Sequence, residues 1–189
     1  IDSIINKQDT LALLPTAAGK SICFQVPALI EEGICIVITP LLSLMEDQTN
    51  YLKSKGIKSI AISSMMNKNN IETAFTNCIY GNMKFLYLSP EKINDKNILD
   101  KISKMNVNLI AVDEAHCISQ WGHNFRPSYR LISKLRDIKK DVPILALTAT
   151  ANKNVTKDIQ ENLNFKKENI IRSSFFRKNL SYVVVNCRS

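Results

Sequence analysis

Short apolar runs alternate with helical segments along the whole of this chain of 189 residues. The apolar runs are rich in β-branched residues and short, as is typical of strands buried on both faces of a sheet. These predicted strands are 10–14, 34–39, 59–63, 85–89, 109–114 and 144–150. The predicted helices between and after them are 20–32, 41–55, 69–80, 97–105, 128–138 and 152–163. Strands that alternate with helices predict an α/β fold, a mainly parallel sheet with helices on both faces.

The composition narrows the kinds of partner that the chain can have. Lysine and arginine number 25 against 17 aspartates and glutamates, and the resulting formal charge of +8 favours a polyanionic partner. No apolar run reaches the ~18 residues of a membrane-spanning helix, and the first residues show no signal pattern, so no membrane partner is expected. The five cysteines form no C-x-x-C pair, which favours buried free thiols over disulfides or a metal site. We therefore expect an intracellular protein, in the cytoplasm or the nucleoid if the source is a bacterium.

Polar segments follow five of the six predicted strands. In chain order they read PTAAGKS, TPLLSL, SPEK, DEAH and TATA. In a parallel sheet ligands bind outside the carboxyl ends of the strands, so these segments are expected to meet along one edge of the sheet.

The segment LLPTAAGKS, residues 13–21, ends like a phosphate-binding loop but lacks some of the usual glycines. It follows an apolar strand and precedes a helix, where backbone N–H groups can hold phosphate. Lys20 would reach the terminal phosphates and the Ser21 hydroxyl would bind Mg²⁺. The alternative is a turn that reads G-K-S by chance. The candidate nucleotide-binding residues are Thr16, Ala17, Ala18, Gly19, Lys20 and Ser21.

Two adjacent carboxylates, Asp113 and Glu114, end the fifth predicted strand. Asp113 can bind Mg²⁺ through water, and Glu114 can orient and deprotonate an attacking water molecule. The alternative is a solvated strand end. With Lys20, these two acids are the candidate catalytic residues.

Aromatic and basic residues are interleaved in the segment CISQWGHNFRPSYR, residues 117–130. It contains the only tryptophan of the chain, Trp121, together with Phe125 and Arg126. Such a segment suits the stacking of single-stranded bases, worth roughly 1–3 kcal/mol per base. The alternative is a packing loop in which Trp121 and Phe125 belong to the core.

The motifs together resemble those of the RecQ family of superfamily-two DNA helicases. LLPTAAGKSICFQVPAL, VITPLLSLMEDQ, YLSPEKI, VDEAHCISQWGHNFRPSYR and LALTATA resemble motifs I, Ia, Ib, II with its aromatic-rich loop, and III of that family. FFRKNLSYVV, residues 175–184, resembles the segment that closes the first RecA-like domain. The resemblance implies that residues 1–189 are a RecA-like P-loop NTPase domain of a motor for DNA repair and recombination. Such a motor uses ATP and Mg²⁺, moves on single-stranded DNA and separates duplexes in the 3′-to-5′ direction.

The resemblance also implies a role for each matching residue. Lys20 and Ser21 would bind phosphate and Mg²⁺, with Asp113 as the metal-linked acid and Glu114 as the base. His116 would link the nucleotide to the DNA side. The residues expected to sense DNA are Ser119, Gln120, Trp121, Phe125 and Arg126. Those expected along the DNA backbone are Thr39, Pro40, Ser43 and Ser89. The pair expected to couple the two sides is Thr148 and Thr150, for which plain strand-end hydrogen bonding is the alternative.

Four residues depart from the family pattern. Ala17 and Ala18 stand where glycines are usual, and an alanine at positive φ costs about 1–2 kcal/mol, which predicts a weakened phosphate loop. Glu46 replaces a basic residue of motif Ia and Asn124 replaces an aspartate, which puts local DNA contacts and the anchoring of the aromatic loop in doubt.

The resemblance further implies that the chain is truncated at both ends. The adenine-reading glutamine of the family would lie upstream, and a second RecA-like domain of the same chain would lie downstream. Without that domain and its arginine, the isolated chain is expected to be a poor ATPase and no helicase. The expected DNA partners are single strands and duplex junctions. Two alternatives are a non-hydrolysing DNA-binding or regulatory module and a P-loop kinase for small molecules.

Overall fold

The structure is a computed structural model that describes residues 1–16, 18–63, 66–122, 124–174, 181 and 183. Within these residues, the strands are β1 Thr10–Leu13, β2 Ile34–Ile38, β3 Ser59–Ile62, β4 Phe85–Leu88, β5 Val107–Val112, β6 Ile144–Thr148 and β7 Ile170–Arg172. They form one sheet in the order β3-β4-β2-β5-β6-β1-β7, and all the strand pairs are parallel. The predicted parallel α/β sheet is therefore confirmed.

The helices lie between the strands, as the sequence predicts, except the first, which precedes β1. They are α1 Asp2–Ile5, α2 Lys20–Ile30, α3 Leu42–Ser54, α4 Lys68–Tyr80, α5 Lys96–Ser103, α6 Ser133–Ile138 and α7 Lys153–Asn162. Short 3₁₀ turns cover Pro90–Asn94, Ala115–Ile118 and Pro127–Ile132. No helix in the described part of the chain is both long and apolar enough to cross a membrane.

Two features differ from the prediction. The helix expected at 128–138 is a 3₁₀ turn up to Ile132 and an α-helix only from Ser133, with Pro127 at its start. Strand β7 was not predicted because its three residues are exposed and form no long apolar run. The segment 175–184, which resembles the end of the first RecA-like domain, lies largely outside the described residues.

Every residue of β5 is buried, and from Leu109 to Val112 successive side chains pack on opposite faces of the sheet. Leu109 and Ala111 join a cluster with Phe24 of α2 and Met45 of α3. The intervening side chains, such as that of Ile110, join the larger cluster on the other face. Helices therefore cover both faces, which explains why the strands read as continuous apolar runs.

A buried ion pair fixes the amino ends of the central strands. Asp9, just before β1, accepts hydrogen bonds from Arg136 Nη2 at 2.5 Å and from the Ile144 N–H at 2.8 Å. Its second carboxylate oxygen accepts from the Lys166 N–H at 2.8 Å. These bonds tie together β1, β6 and the segment before β7, so their carboxyl ends lie at the opposite edge of the sheet.

Candidate functional site

The turn between β1 and α2 depends on a glycine. Gly19 has φ 76° and ψ 32°, a left-handed conformation, directly before the first residue of α2. A Cβ added at Gly19 would have Ile22 Cγ1 as its nearest neighbour, 4.0 Å away. Upstream in the turn, the Ala18 N–H donates to Pro15 O at 3.2 Å. There is thus room beside Gly19 at the start of α2, and the N-terminus of a helix suits phosphate binding.

The backbone conformation of the phosphate loop shows whether the alanine pair, Ala17 and Ala18, is strained. Among the described residues, positive φ at residues other than glycine occurs at Lys7, Asn82, Glu114 and Asn164. Ala18 is not one of them, so the positive φ that would strain an alanine is not found at this position. Ala17 lies outside the described residues, and its strain stays a prediction. Thr16 is exposed in the same turn.

The two acids follow β5, as predicted, and the chain turns sharply between them and the 3₁₀ turn Ala115–Ile118. Glu114 takes a left-handed conformation, φ 47°, which costs about 1–2 kcal/mol in a residue with a Cβ. Its own N–H donates to Asp113 Oδ1 at 3.0 Å. Its carboxylate Oε1 lies 3.8 Å from Lys20 Nζ. The strained turn therefore brings the predicted base to the lysine of the phosphate loop.

The neighbouring acids have pKa values displaced in opposite directions. Burial, with the adjacent charge of Glu114, raises the pKa of Asp113. The hydrogen bond with His116 lowers the pKa of Glu114, and the charge of Lys20 lowers it further, although partial burial opposes both. Glu114 therefore stays ionised and can accept a proton, whereas the charged form of Asp113 needs a nearby cation to stabilise it.

His116 joins the ends of β5 and β6. Its Nδ1 lies 3.2 Å from Glu114 Oε2 and 3.0 Å from Thr148 Oγ1. Contact between its Nε2 and the sulfur of Cys117, 3.8 Å apart, and the hydrogen bond with Glu114 raise the pKa of His116 to about 9. The ring is therefore an imidazolium at neutral pH, with a proton on both nitrogens. The Thr148 hydroxyl also accepts from the Thr150 N–H at 3.2 Å, so hydrogen bonds lead from Glu114 to Thr150.

Gln48 of α3 was not assigned a role from the sequence, although it lies within the quoted segment VITPLLSLMEDQ. Its Nε2 donates to Ser21 Oγ at 3.1 Å, and its Oε1 accepts from Tyr87 OH at 2.9 Å. A buried tyrosine thus orients Gln48, which in turn orients the hydroxyl expected to bind a metal ion.

Ser21 and Asp113 fit the ligands that Mg²⁺ takes from nucleotide-binding proteins. Mg²⁺ prefers oxygen and usually keeps water and phosphate oxygens beside one or two protein groups. The described residues include no group of three or more His, Cys, Asp or Glu side chains that could hold a metal ion. A hydroxyl and a carboxylate therefore suit an ion that is bound together with a nucleotide.

A cleft of about 430 Å³ connects Glu114 with the predicted DNA side. Glu114 and His116 line one part of it, and Phe125 and Arg126 line another. Arg126 Nη1 donates to Pro40 O at 3.4 Å, which joins the aromatic segment to the segment after β2. The cleft thus brings predicted catalytic and predicted DNA-sensing residues together.

The packing-loop alternative is wrong for Trp121, whose surface is 70% exposed. Phe125 is half-buried, and the guanidinium of Arg130 lies 5.2 Å from its ring centroid. The core aromatic of this segment is instead Tyr129, whose OH donates to Asp113 O at 3.0 Å. Gln120 is exposed beside Trp121. An exposed aromatic side chain in a segment that also carries Arg126 and Arg130 suits a ligand with bases to stack.

The remaining predicted residues lie after β2 and β4, two neighbouring strands. Thr39 is buried, and its Oγ1 has no hydrogen-bond partner within the described part of the chain. Ser43 is exposed in the first turn of α3, where Glu46 is exposed as well. Ser89 is half-buried directly before the 3₁₀ turn Pro90–Asn94. All of these residues therefore lie near the sheet edge that carries the acid pair.

Residues 1–158 match the family model of the DEAD/DEAH box helicases. The chain belongs to this family. It is 44% identical to the ATP-dependent DNA helicase RecQ of Bacillus subtilis (strain 168), over 95% of this chain and 30% of the relative. It is 42% identical to the probable ATP-dependent DNA helicase RecS of the same organism, over 98% of this chain and 37% of the relative. The resemblance to RecQ helicases is thus confirmed, and the chain spans about a third of the length of these relatives.

Solved structures show the same fold. The DEAD-box helicase Mss116 bound to ssRNA and UDP-BeF matches with a TM-score of 0.73 at 18% identity, over 95% of this chain and 39% of that chain. The helicase domain of Pyrococcus furiosus Hef matches with a TM-score of 0.65 at 19% identity, over 89% of this chain and 36% of that chain. The RecA-like helicase fold is therefore confirmed.

Replacing Gly19 with alanine should weaken ATP·Mg binding as well as lower the stability of the fold. Gly56 also has a left-handed φ, 75°, with nothing within 4 Å of an added Cβ, and is a matched control. We expect Gly19→Ala and Gly56→Ala each to lower the free energy of unfolding by about 1–2 kcal/mol, because the backbone strain is the same. Only Gly19→Ala should weaken ATP·Mg binding several-fold, measured by calorimetry. Equal ATP affinity in the two variants would show that the turn at Gly19 does not hold phosphate.

The charge of His116 should depend on Glu114. Because its pKa of about 9 exceeds the ~6.5 of a free imidazole, the charge stabilises the fold fully below pH ~6.5, and this stabilisation is lost as the pH rises through about 9. An NMR titration of the imidazole signals should show this high midpoint, assigned by its absence in His116→Gln. Glu114→Gln should lower the midpoint, by about one unit if the pair contributes ~1.4 kcal/mol. The surface change Glu161→Gln should leave it in place, and a midpoint unmoved by Glu114→Gln would contradict the ion pair.

Proposed function

We propose that residues 1–189 are the first RecA-like domain, and so the ATP-binding half, of an ATP-dependent DNA helicase of RecQ type. In this proposal the whole protein hydrolyses ATP, moves on single-stranded DNA in the 3′-to-5′ direction and separates duplexes. The observation that carries the proposal is the contact chain Lys20–Glu114–His116–Thr148, which borders the cleft of Arg126. The relatives named ATP-dependent DNA helicases support it.

Nucleotide binding begins at the turn from Thr16 to Ser21. Its N–H groups would hold the phosphates, and Lys20 would neutralise charge on the terminal ones. In the structure the Lys20 ammonium is 3.8 Å from Glu114. When phosphate oxygens attract Lys20, that contact weakens and the Glu114 carboxylate becomes available. Binding thus prepares the catalytic base.

Glu114 would act as that base. Its lowered pKa keeps it ionised at neutral pH, so it can orient a water molecule and take its proton. His116 holds the carboxylate from the opposite side by the hydrogen bond from Nδ1. Mg²⁺, held by Ser21 and Asp113, would supply the positive charge that stabilises the phosphoryl group during transfer.

The DNA side would lie along the cleft and the exposed Trp121. Contacts to phosphate supply most of the affinity of proteins for nucleic acid, and the net charge of +8 suits such a partner. The proposed substrates are single DNA strands and duplex junctions. Because such substrates occur inside the cell, we also propose an intracellular location. A second RecA-like domain of the same chain would contribute an arginine to the transferred phosphoryl group, an effect typically worth roughly 10³–10⁵ in rate.

Two substitutions should separate binding from chemistry in the full-length protein. Glu114→Gln should retain ATP binding and lose most turnover, because the amide keeps the shape of the side chain but accepts no proton. Lys20→Ala should weaken binding as well. Both are measured by calorimetry and by phosphate release, with Glu161→Gln and Lys157→Ala, which break an exposed ion pair on α7, as matched controls.

Two results would count against the proposal. Turnover at the parental rate in Glu114→Gln would remove Glu114 as the base. Absence of ATP binding in the parent protein, with DNA binding intact, would favour the non-hydrolysing DNA-binding module.

A further inference from the structure

The hydroxyl of Ser119 lies at the base of the aromatic segment and makes two hydrogen bonds. It donates to Asp158 Oδ2 at 2.6 Å and accepts from the Trp121 N–H at 3.2 Å. Ser119 is fully buried, whereas Trp121 is 70% exposed. The backbone of the exposed tryptophan is thus connected through one buried hydroxyl to a carboxylate of another element.

That other element is α7, which is fixed in the core. It buries Val155 and Ile159 and packs against the 3₁₀ turn Ala115–Ile118. The side chain of Asn152 caps its first turn by accepting from the Val155 N–H at 3.0 Å. Asp158 therefore presents its carboxylate from a rigid support, 39 residues further along the chain than Ser119.

The direction of the two bonds gives Asp158 control over the loop. A carboxylate only accepts hydrogen bonds, so it fixes the proton of the Ser119 hydroxyl on its own side. The lone pairs of that hydroxyl are then turned to the Trp121 N–H. Hydrogen bonds to an ionised acceptor are about twice as strong as neutral ones, which makes Asp158 the dominant partner.

Backbone bonds also shape the loop, but they fix other points. The Gly122 N–H donates to Ser119 O at 3.1 Å, and the Arg126 N–H donates to Cys117 O at 2.8 Å. The Trp121 side chain projects from the surface, so its direction depends on its backbone. The bond from the Trp121 N–H is therefore the contact through which the buried Ser119 holds the backbone that carries the indole.

We propose that Asp158 is a positioning residue that holds Trp121, through Ser119, in the orientation from which it contacts single-stranded DNA. This inference rests on the proposed function for its DNA partner, whereas the anchoring itself rests only on the geometry. Helix α7 begins just after Thr148 and Thr150. Asp158 therefore connects the aromatic segment to the end of β6 by a route separate from His116.

The single tryptophan allows the anchor to be tested without DNA. In this chain, steady-state fluorescence anisotropy and acrylamide quenching report on Trp121 alone. Asp158→Ala and Ser119→Ala should lower the anisotropy and change the quenching constant, because the indole loses its fixed position. Asp158→Asn retains an oxygen that accepts from Ser119 and should stay near the parent. Glu161→Ala, an exposed acid on the same helix, should also match the parent.

A double variant tests whether Asp158 acts through the hydroxyl. Adding Asp158→Ala to Ser119→Ala should change the anisotropy no further, since the connection is already broken. Thermal melting of each sample shows whether it is folded, and if Asp158→Ala does not fold, Ser119→Ala decides. Anisotropy at the parental value in folded Asp158→Ala, or in Ser119→Ala, would overturn the anchor.

In the full-length protein the same variants test the consequence for DNA. Asp158→Ala should raise several-fold the concentration of an oligothymidine that gives half-maximal ATPase stimulation, while ATP affinity stays unchanged and Asp158→Asn restores most of the response. If the parent protein shows no stimulation by DNA, the proposed function fails, and the fluorescence result still decides the anchor. Normal stimulation in Asp158→Ala with a mobile indole would overturn the positioning role.

Discussion

The parallel pairing of β5 between β2 and β6 is the constraint on which the rest of the site depends. The Asp113 N–H continues this pairing by donating to Ile38 O at 2.8 Å, so the acid pair begins where the hydrogen-bonded strand ends. On the other side β1 pairs with β6, and the Leu14 N–H donates to Thr148 O at 3.1 Å. A slip of one residue would move buried side chains to the opposite face and displace the loops together. The register of the sheet thus sets the distance between the phosphate loop and the acids.

Within that frame, one carboxylate holds two cations in place. Glu114 lies between the Lys20 ammonium and the His116 imidazolium, and its left-handed backbone conformation allows it to face both. Lys20 and His116 compensate the negative charge of Glu114, and all three groups are only partly exposed to water. It also means that a ligand which attracts Lys20 alters the surroundings of Glu114, and through His116 those of Thr148. The proposed nucleotide side and the proposed DNA side are thereby joined by side chains in direct contact.

The fold could be predicted largely from the sequence because its strands are buried on both faces and read as continuous apolar runs. The exceptions have local causes: β7 is short and exposed, and the segment from Pro127 to Ile132 forms a 3₁₀ turn rather than an α-helix. Lys20, at the start of α2, and Asp113 and Glu114, at the end of β5, were predictable because they belong to recognisable motifs that follow strands. Gln48 and Asp158 were not, because they act through serines 27 and 39 residues away, and only the folded chain brings them together.

We propose that the cleft lined by Phe125 and Arg126, together with the exposed Trp121, makes ATP hydrolysis respond to DNA. The most direct measurement is the ATPase rate of the full-length protein against single-stranded DNA concentration, with a binding titration at the same salt. Trp121→Ala and Arg126→Ala should keep the low DNA-free rate, bind DNA slightly more weakly and lose most of the stimulation. Tyr80→Ala, which removes another exposed aromatic residue at the end of α4, should respond like the parent. Full stimulation of Trp121→Ala and Arg126→Ala at saturating DNA would contradict the account.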